Sequence, residues 1–195
     1  MEIIVATRNQ GKMREFARIL EEFGCTVIGM EEAGVDMEIE EDGSTFGENA
    51  TIKAMTIHKV TGKSAISDDS GLCVDYLDGR PGVYSARYQG EDTPYPEKIA
   101  ALLAELKDAA PEERTARFTS AICFVGEDST PHLFEASCEG TIGYECRGEN
   151  GFGYDPIFYV GERSFAQLSG EEKDAMSHRG KALRLFAEEL PQLLK

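Results

Sequence analysis

Two neighbouring aspartates near the middle of the chain are well suited to chemistry. Asp68 and Asp69 follow the apolar pair Ala65-Ile66 and precede Ser70-Gly71. In a turn, two adjacent carboxylates could flank one metal ion or one water, whereas on a regular strand they would point to opposite faces. Carboxylate oxygens in small number, completed by water and phosphate, suit Mg²⁺. The sequence therefore predicts either a magnesium site or an ordinary polar turn, at the end of a buried strand where α/β sheets bind ligands.

A second polar cluster separates the first apolar run from the first helical pattern. It consists of Thr7, Arg8, Asn9, Gln10, Gly11 and Lys12. Backbone N–H groups at a helix N-terminus attract anions, Gly11 permits a close approach of the backbone, and Lys12 adds a positive charge. The glycine and lysine spacing of a P-loop is absent. Two interpretations stay open here, an anion site and a β–α turn with a solvated lysine.

Two more candidate clusters lie in the C-terminal half of the chain. Glycines 151 and 153 bracket Phe152, whose ring could stack on a nucleobase or pack into the core. Further on, Lys173 and the pair His178-Arg179 could donate hydrogen bonds to a base or a phosphate. The alternative is a solvated helix start capped by Ser177.

Charge limits the partners of this protein. The 195 residues include 36 Asp plus Glu and 20 Lys plus Arg, which gives a net charge of −16 at pH 7. Such a charge argues against binding to polymeric nucleic acid or to an anionic membrane. Residues 31–48 contain 8 acidic residues and no Lys or Arg. This acidic segment is typical of a solvated face, and it could also supply a metal ligand.

The elements that would position these clusters predict an α/β fold. Strands are expected at 3–6, 25–28, 64–67, 72–74, 114–125, 131–144 and 157–160, with an edge strand near 37–40. Helices are expected at 13–23, 46–60 and 94–107 and in the C-terminal region. A capping box beginning at Thr45 and a glycine at position 62 delimit the second helix. Without repeats or linkers, one domain over residues 1–195, with room for two lobes, is expected.

Cysteine usage and hydropathy indicate a cytoplasmic protein. The chain has 5 cysteines, no C-x-x-C pair and no histidine at metal-ligand spacing from a cysteine. This pattern predicts free thiols in a reducing compartment and argues against a zinc site. Neither a signal peptide nor an apolar run of membrane-spanning length is visible in the sequence.

Taken in order, the clusters resemble the inosine triphosphate pyrophosphatase family, also called the XTP/dITP diphosphatases. The resemblance extends from residue 3 to about residue 186 and depends on motifs that are specific when found together. The matching motifs are residues 7–12, 45–50 with Lys53, 68–72, 81–88, 151–156 and 177–180. Arg8 stands at a position where the family varies.

The resemblance implies a fold, a reaction and a set of partners. The fold is an elongated mixed central sheet with flanking helices, in which two lobes enclose a nucleotide-binding cleft. The reaction is the Mg²⁺-dependent hydrolysis of ITP, dITP or XTP to the monophosphate and pyrophosphate, which removes deaminated purines from the nucleotide pool. The partners are a purine nucleoside triphosphate and a second copy of the chain in a homodimer.

The resemblance also implies roles for individual residues. Asp69 is the expected general base, and Lys12 assists catalysis by stabilising phosphate charge. Metal ligands come from Asp68, Asp69 and either Glu40 or Glu41, because the register of the acidic segment does not choose between the two glutamates. The expected substrate-binding residues are Thr7, Arg8, Asn9, Gln10, Gly11, Lys12, Lys53, Ser70, Phe152, Gly153, Tyr154, Asp155, Lys173, His178 and Arg179.

Base selection is expected at the purine 6-position. Arg179 has only donors, so it would favour a 6-carbonyl over the amino group of adenine, and His178 would add to this preference if it donates. Phe152 would stack on the base, and Asp155 would accept from its N1–H. An unpaired buried donor costs about 1–3 kcal/mol, which corresponds to roughly ten- to hundredfold discrimination.

Three alternatives stay open on the sequence. One is a related pyrophosphatase that acts on dTTP, UTP or a modified pyrimidine nucleotide. Another is a regulatory nucleotide-binding module without catalysis, against which the intact Asp68-Asp69 pair and Lys12 argue. The third is an acidic structural protein, which would not need this set of motifs.

Overall fold

A seven-stranded mixed sheet forms the centre of the fold in the computed structural model, which describes residues 1–194. The strand order is β2-β1-β3-β4-β5-β6-β7. The strands are β1 (Glu2–Val5), β2 (Thr26–Gly29), β3 (Ala65–Val74), β4 (Thr115–Val125), β5 (Pro131–Ile142), β6 (Phe158–Val160) and β7 (Arg163–Ser164). β1 runs parallel to β2 and β3, and β6 runs antiparallel to β5 and β7. The predicted α/β class with a mixed central sheet is confirmed.

Five α-helices accompany the sheet over residues 1–194. They are α1 (Gln10–Glu21), α2 (Phe46–Thr61), α3 (Tyr95–Glu105), α4 (Gly170–Met176) and α5 (His178–Leu193). The side chain of Asn9 caps α1 by accepting a hydrogen bond from the Lys12 N–H. Thr45 and Glu48 form the predicted capping box of α2, and Gly62 ends this helix at φ +67°. No helix in this range is long and apolar enough to cross a membrane.

The chain divides into two compact units, and the first contains both predicted catalytic residues, Lys12 and Asp69. It comprises Met1–Asp69, Ser120–Ala136 and the segment from His178 onward. One face of its sheet packs against α1 and α5, through the cluster that contains Ile3, Ile66, Phe16 and Phe186. Its other face carries Ile4 and Ala65, which pack with Ile57 of α2.

The second unit comprises Ser70–Thr119 and Ser137–Ser177. Its core contains Leu102 of α3 and three aromatic rings, Phe118, Phe158 and Phe165. The Phe158 ring meets the other two edge to face. Neither unit is one continuous segment of the chain. The single domain over residues 1–195 stays a prediction.

Two sequence-based expectations about strands are wrong. The Asp68–Gly71 stretch is not a turn between two strands, because β3 is continuous from Ala65 to Val74. Residues 37–40 form no strand. Asp, Ser and Gly favour turns in isolation, but burial within a sheet overrides that preference at this position. The consequence is geometric, since adjacent strand residues point to opposite faces.

Candidate active site

Strand alternation in β3 gives Asp68 and Asp69 different neighbours. Asp68 faces α1 and α5, where it contacts Lys12 and Arg179. Asp69 faces α2, where it contacts Asn49 and Lys53. The two carboxylates therefore have different contacting cations, Lys12 and Arg179 at Asp68 and Lys53 at Asp69.

Asp68 is a buried, fully compensated carboxylate. Its side chain has 0% exposure, and its Oδ2 lies 2.6 Å from Lys12 Nζ and 3.1 Å from Arg179 Nη2. The hydroxyl of Ser120, on β4, donates to Oδ1. Burial alone would raise the pKa of Asp68, but the charges of Arg179 and Lys12 hold that pKa well below its usual range. Asp68 thus stays ionised as the anchor of two cations.

Arg179 is held between two carboxylates. Its guanidinium, with 2% side-chain exposure, pairs with Asp68 and with Glu15 of α1. Glu15 follows Lys12 by three positions, so both side chains lie on the same face of α1. In this arrangement Arg179 supports Asp68, and this placement favours a positioning role over the predicted direct contact with a base.

Lys12 remains reachable by a ligand. Its side chain is 16% exposed. Burial lowers the pKa of Lys12, with Lys53 and Arg179 acting in the same direction and Asp68 opposing them. Lys12 is therefore a cation that an incoming anion would stabilise.

Asp69 has the opposite electrostatic character to Asp68. Burial raises the pKa of Asp69 above its usual range, although Lys53 and Lys12 oppose this shift. Its Oδ2 accepts a hydrogen bond of 3.1 Å from Asn49 Nδ2, and its Oδ1 lies 3.7 Å from Lys53 Nζ. A carboxylate with a raised pKa is a stronger base than an ordinary aspartate.

The acidic segment reaches the site through one glutamate. Glu41 Oε2 lies 2.7 Å from Lys53 Nζ, whereas Glu40 is exposed. The Lys53 ammonium therefore contacts the carboxylates of both Glu41 and Asp69. This geometry favours Glu41 over Glu40 as the metal ligand.

The donor chemistry fits a hard divalent cation. Glu41 and Asp69 both place a carboxylate oxygen near the ammonium group of Lys53, so this position suits a positive charge. Within residues 1–194, no group of three or more His, Cys, Asp or Glu side chains is arranged to hold a metal ion. One or two carboxylates completed by water and phosphate are the usual protein ligands of Mg²⁺. Asp68 fits less well, because cations and a hydroxyl already contact both its oxygens.

The predicted anion-binding segment forms the N-terminus of α1. Asn9 is the cap, and its N–H donates to the Thr7 hydroxyl. Gln10 and Gly11 begin the helix. Arg8 is exposed and pairs with Asp36 at 3.0 Å, while its guanidinium also donates to the Met37 carbonyl. The 12-residue helix α1 can therefore present to an anion both the partial positive charge of its N-terminus and the ammonium of Lys12.

In the second unit, Lys173 anchors the glycine-rich loop. Its Nζ donates to Asp155 Oδ2 at 2.6 Å, and both side chains are 4% exposed. The same carboxylate oxygen accepts the Phe152 N–H at 3.0 Å. Lys173 Nζ also lies 4.7 Å from the centroid of the Phe152 ring. These contacts favour a supporting role for Lys173 and Asp155, with Phe152 half-buried beside them.

Glycines and a tyrosine complete the shape of this loop. Gly151 and Gly153 adopt φ +70° and φ +64°, a backbone conformation that suits glycine. Buried Tyr154 donates through its hydroxyl to the Ser85 carbonyl at 2.8 Å. Of the remaining predicted residues, Ser70 is half-buried on β3 and His178 is buried at the start of α5.

Sequence comparison identifies the family. The model of the Ham1 family matches residues 3–189 of the chain. This chain belongs to the Ham1 family. The resemblance seen in the sequence motifs is thereby confirmed.

Curated relatives of this Ham1-family chain are named dITP/XTP pyrophosphatases. The protein of Bacillus licheniformis is 50% identical over 98% of this chain and 98% of its own length. The protein of Escherichia coli O157:H7 is 47% identical over 97% of this chain and 98% of its own length.

Solved structures of the family share the fold. The Ham1 protein of Staphylococcus aureus is 42% identical, with a TM-score of 0.86 over 98% of this chain and 99% of that one. A HAM1 protein from Coxiella burnetii is 41% identical, with a TM-score of 0.87 and the same coverage.

Three residues of this site in the Ham1-family chain were not among the sequence-based candidates. They are Glu15, Asn49 and Ser120, which contact Arg179, Asp69 and Asp68. Asn49 lies inside the motif at residues 45–50, and Glu15 shares a helix face with Lys12, so a local sequence signal was present for both. Ser120 carried none, because its partner is 52 positions away in the chain.

Replacing Arg179 should test the charge balance around Asp68. Arg179→Met leaves two buried carboxylates without this cation, so the free energy of unfolding at about pH 7 should fall by about 3–5 kcal/mol. The depressed pKa of Asp68 contributes stability that is present above about pH 4 and is lost as pH falls through the folded-state value. The deficit of the variant should therefore shrink in acid. Urea unfolding of the metal-free protein measures both effects.

Arg163→Met provides the matched control. Arg163 pairs with Glu172 at the surface, with side-chain exposures of 53% and 45%. Loss of this exposed pair should change the unfolding free energy by less than about 1 kcal/mol. Equal effects of the two substitutions would contradict the assignment of Arg179 to a buried charge network.

Proposed function

We propose that this chain hydrolyses dITP, XTP and ITP to the nucleoside monophosphate and pyrophosphate in the presence of Mg²⁺. The observation that carries the proposal is the adjacent pair Asp68 and Asp69, in which one carboxylate anchors Lys12 and Arg179 and the other faces Lys53 and Asn49. This pair occurs in a chain that is 47–50% identical over nearly its whole length to dITP/XTP pyrophosphatases. The proposed role is removal of deaminated purines from the nucleotide pool.

The proposed reaction begins with a water molecule held by Asp69. The Asp69 carboxylate accepts a proton from this water while the water oxygen attacks the α-phosphorus. The bond from the α-phosphorus to the oxygen that bridges the α- and β-phosphates breaks, and pyrophosphate leaves with that oxygen. In the metal-free chain burial raises the pKa of Asp69, which supports this role, whereas Mg²⁺ bound at the same carboxylate would lower that pKa. Most of the proposed rate enhancement is therefore assigned to charge stabilisation by lysine and Mg²⁺.

Lys12 and Lys53 are the proposed phosphate ligands of the first unit. Both are largely buried but keep exposed side-chain surface of 16% and 10%. Lys12 is fixed by Asp68, and the N-terminus of α1 adds backbone donors beside it. Fixed cations stabilise charge on the transferring phosphoryl group without reorganisation.

The charges around Asp68 and Asp69 support a requirement for a divalent cation. Three cations of the first unit pair there with four carboxylates; the cations are Lys12, Lys53 and Arg179, and the carboxylates are Glu15, Glu41, Asp68 and Asp69. A triphosphate adds about four negative charges. Glu41 and Asp69 are the proposed ligands of Mg²⁺, which would neutralise phosphate charge when bound.

The glycine-rich loop of the second unit is the proposed site of base stacking. Phe152 offers a ring face for stacking, and Lys173 with Asp155 fixes the loop that carries it. His178 stays the predicted donor to the purine 6-carbonyl. Because Arg179 and Asp155 are held by buried ion pairs, we assign them to positioning in place of direct contact with the base.

Two further predictions concern assembly and location. The chain is expected from family resemblance to form a homodimer, which light scattering of the purified protein would measure. It is also expected in the cytoplasm, on the cysteine usage of its sequence.

A nucleotide panel tests the proposed function. Offered dITP, XTP, dTTP and ATP with Mg²⁺, the protein should release pyrophosphate and monophosphate from dITP and XTP, with the preference over ATP at least roughly tenfold. Product identification by chromatography separates pyrophosphate from orthophosphate. Preference for dTTP, release of orthophosphate or no turnover would overturn the proposal.

Substitution of the proposed base tests its role directly. Asp69→Asn should lower kcat by about 10²–10⁴-fold, because the amide cannot accept the proton of the attacking water. Binding of a non-hydrolysable triphosphate, measured by calorimetry, should stay measurable. Asp108→Asn, an exposed position outside the site, should leave both quantities unchanged. A near-normal kcat in Asp69→Asn would show that the base is another group.

A further inference from the structure

We propose that Asn49 is a positioning residue that holds the Asp69 carboxylate and the acidic segment with one side-chain amide. The inference rests on the proposed function, since it assigns Asn49 to the same reaction. Asn49 lies in the first turn of α2 and is 1% exposed. Its amide bridges two parts of the chain, namely Asp69 on β3 and Gly43, two residues after Glu41.

The orientation of this amide follows from the chemistry of its partners. Asn49 Oδ1 accepts the Gly43 N–H at 2.8 Å, and Asn49 Nδ2 donates to Asp69 Oδ2 at 3.1 Å. A backbone N–H can only donate, so the amide oxygen must face Gly43. The amide nitrogen then faces a group that accepts when ionised. A flipped amide would oppose donor to donor on one side and acceptor to acceptor on the other.

Gly43 provides an independent sign that this contact is a built feature. A Cβ atom at Gly43 would lie 2.7 Å from Asn49 Oδ1 and 2.8 Å from the Glu48 Cβ. The acidic segment therefore approaches the start of α2 at a distance that only glycine permits. Glu48, the neighbour of Asn49, also accepts from the Ser44 N–H and fixes the next residue of the segment.

The remaining contacts of Asp69 leave its orientation to Asn49. The charged groups around Asp69 are Lys53 on α2, Lys12 on α1, Asp68 on its own strand and Glu41 across the Lys53 ammonium. The Lys53 ammonium is 3.7 Å away, which is beyond hydrogen-bonding distance. The Asn49 amide donates to one carboxylate oxygen, so the second oxygen is directed toward Lys53. The same amide holds the segment that places Glu41 beside this lysine.

Two substitutions separate the two halves of this role. Asn49→Asp keeps an oxygen acceptor for the Gly43 N–H but replaces the donor to Asp69 with a second acceptor. Asn49→Ala removes both contacts. Loss of an outer hydrogen-bond partner typically costs about 10–100-fold in activity or metal affinity. Both variants should therefore lose kcat by at least about tenfold, with KM for dITP within about threefold of the wild-type value.

Amide hydrogen exchange gives a readout that does not depend on turnover. In the metal-free protein, the exchange rate of the Gly43 N–H, followed by NMR, should rise at least about tenfold in Asn49→Ala and stay within about threefold of wild type in Asn49→Asp. Gln192→Glu makes the same change of amide to carboxylate at an exposed position of α5 and should alter neither kcat nor exchange.

The outcomes decide between a positioning role and a local structural one. Loss of kcat in Asn49→Asp with Gly43 still protected supports the proposal. A kcat within about threefold of wild type in Asn49→Asp, or unchanged Gly43 exchange in Asn49→Ala, would overturn it. If the wild-type protein itself does not hydrolyse dITP, the proposed function fails, and the exchange rates still report whether Asn49 holds Gly43.

Discussion

A carboxylate with no exposed surface, Asp68, is the constraint on which the first unit depends. An ion of this kind is stable in a protein interior only when cations and hydrogen bonds compensate it. Lys12 from α1, Arg179 from α5 and Ser120 from β4 supply that compensation. These three groups come from distant parts of the chain, so the ionised Asp68 orders α1, α5 and the central strands around one point.

Alternation along β3 then separates two chemically identical neighbours into different roles. Asp68 is surrounded by cations, and its pKa is depressed, whereas burial raises the pKa of Asp69 on the opposite face. The first carboxylate fixes Lys12, the proposed phosphate ligand, and the second is the proposed base. Asn49 and Lys53 from α2 complete the surroundings of the second carboxylate. A turn at this position would have given both aspartates one shared environment.

Local signals predicted much of the fold and pointed to many of the residues that contact one another around Asp68 and Asp69. The capping box at Thr45 and the glycine at position 62 gave α2 almost to the residue, because those groups act within one helical turn. The course of β3 could not be read in the same way, since Asp, Ser and Gly resemble a turn until tertiary burial is known. The pairing of Arg179 with Glu15 could not be predicted from local sequence either, because the two residues are 164 positions apart. The sequence therefore indicated the charged residues but not which of them pair with each other.

The different roles of Asp68 and Asp69 are the central claim, and a titration measures them directly. Carbon-detected NMR of the side-chain carboxyls in the metal-free protein would follow each aspartate as pH is lowered. Asp69 should take up its proton at a pKa above the usual range for aspartate. Asp68 should stay ionised well below that range while the protein remains folded. Titration of both carboxyls in the ordinary range, or in the reverse order, would contradict the account.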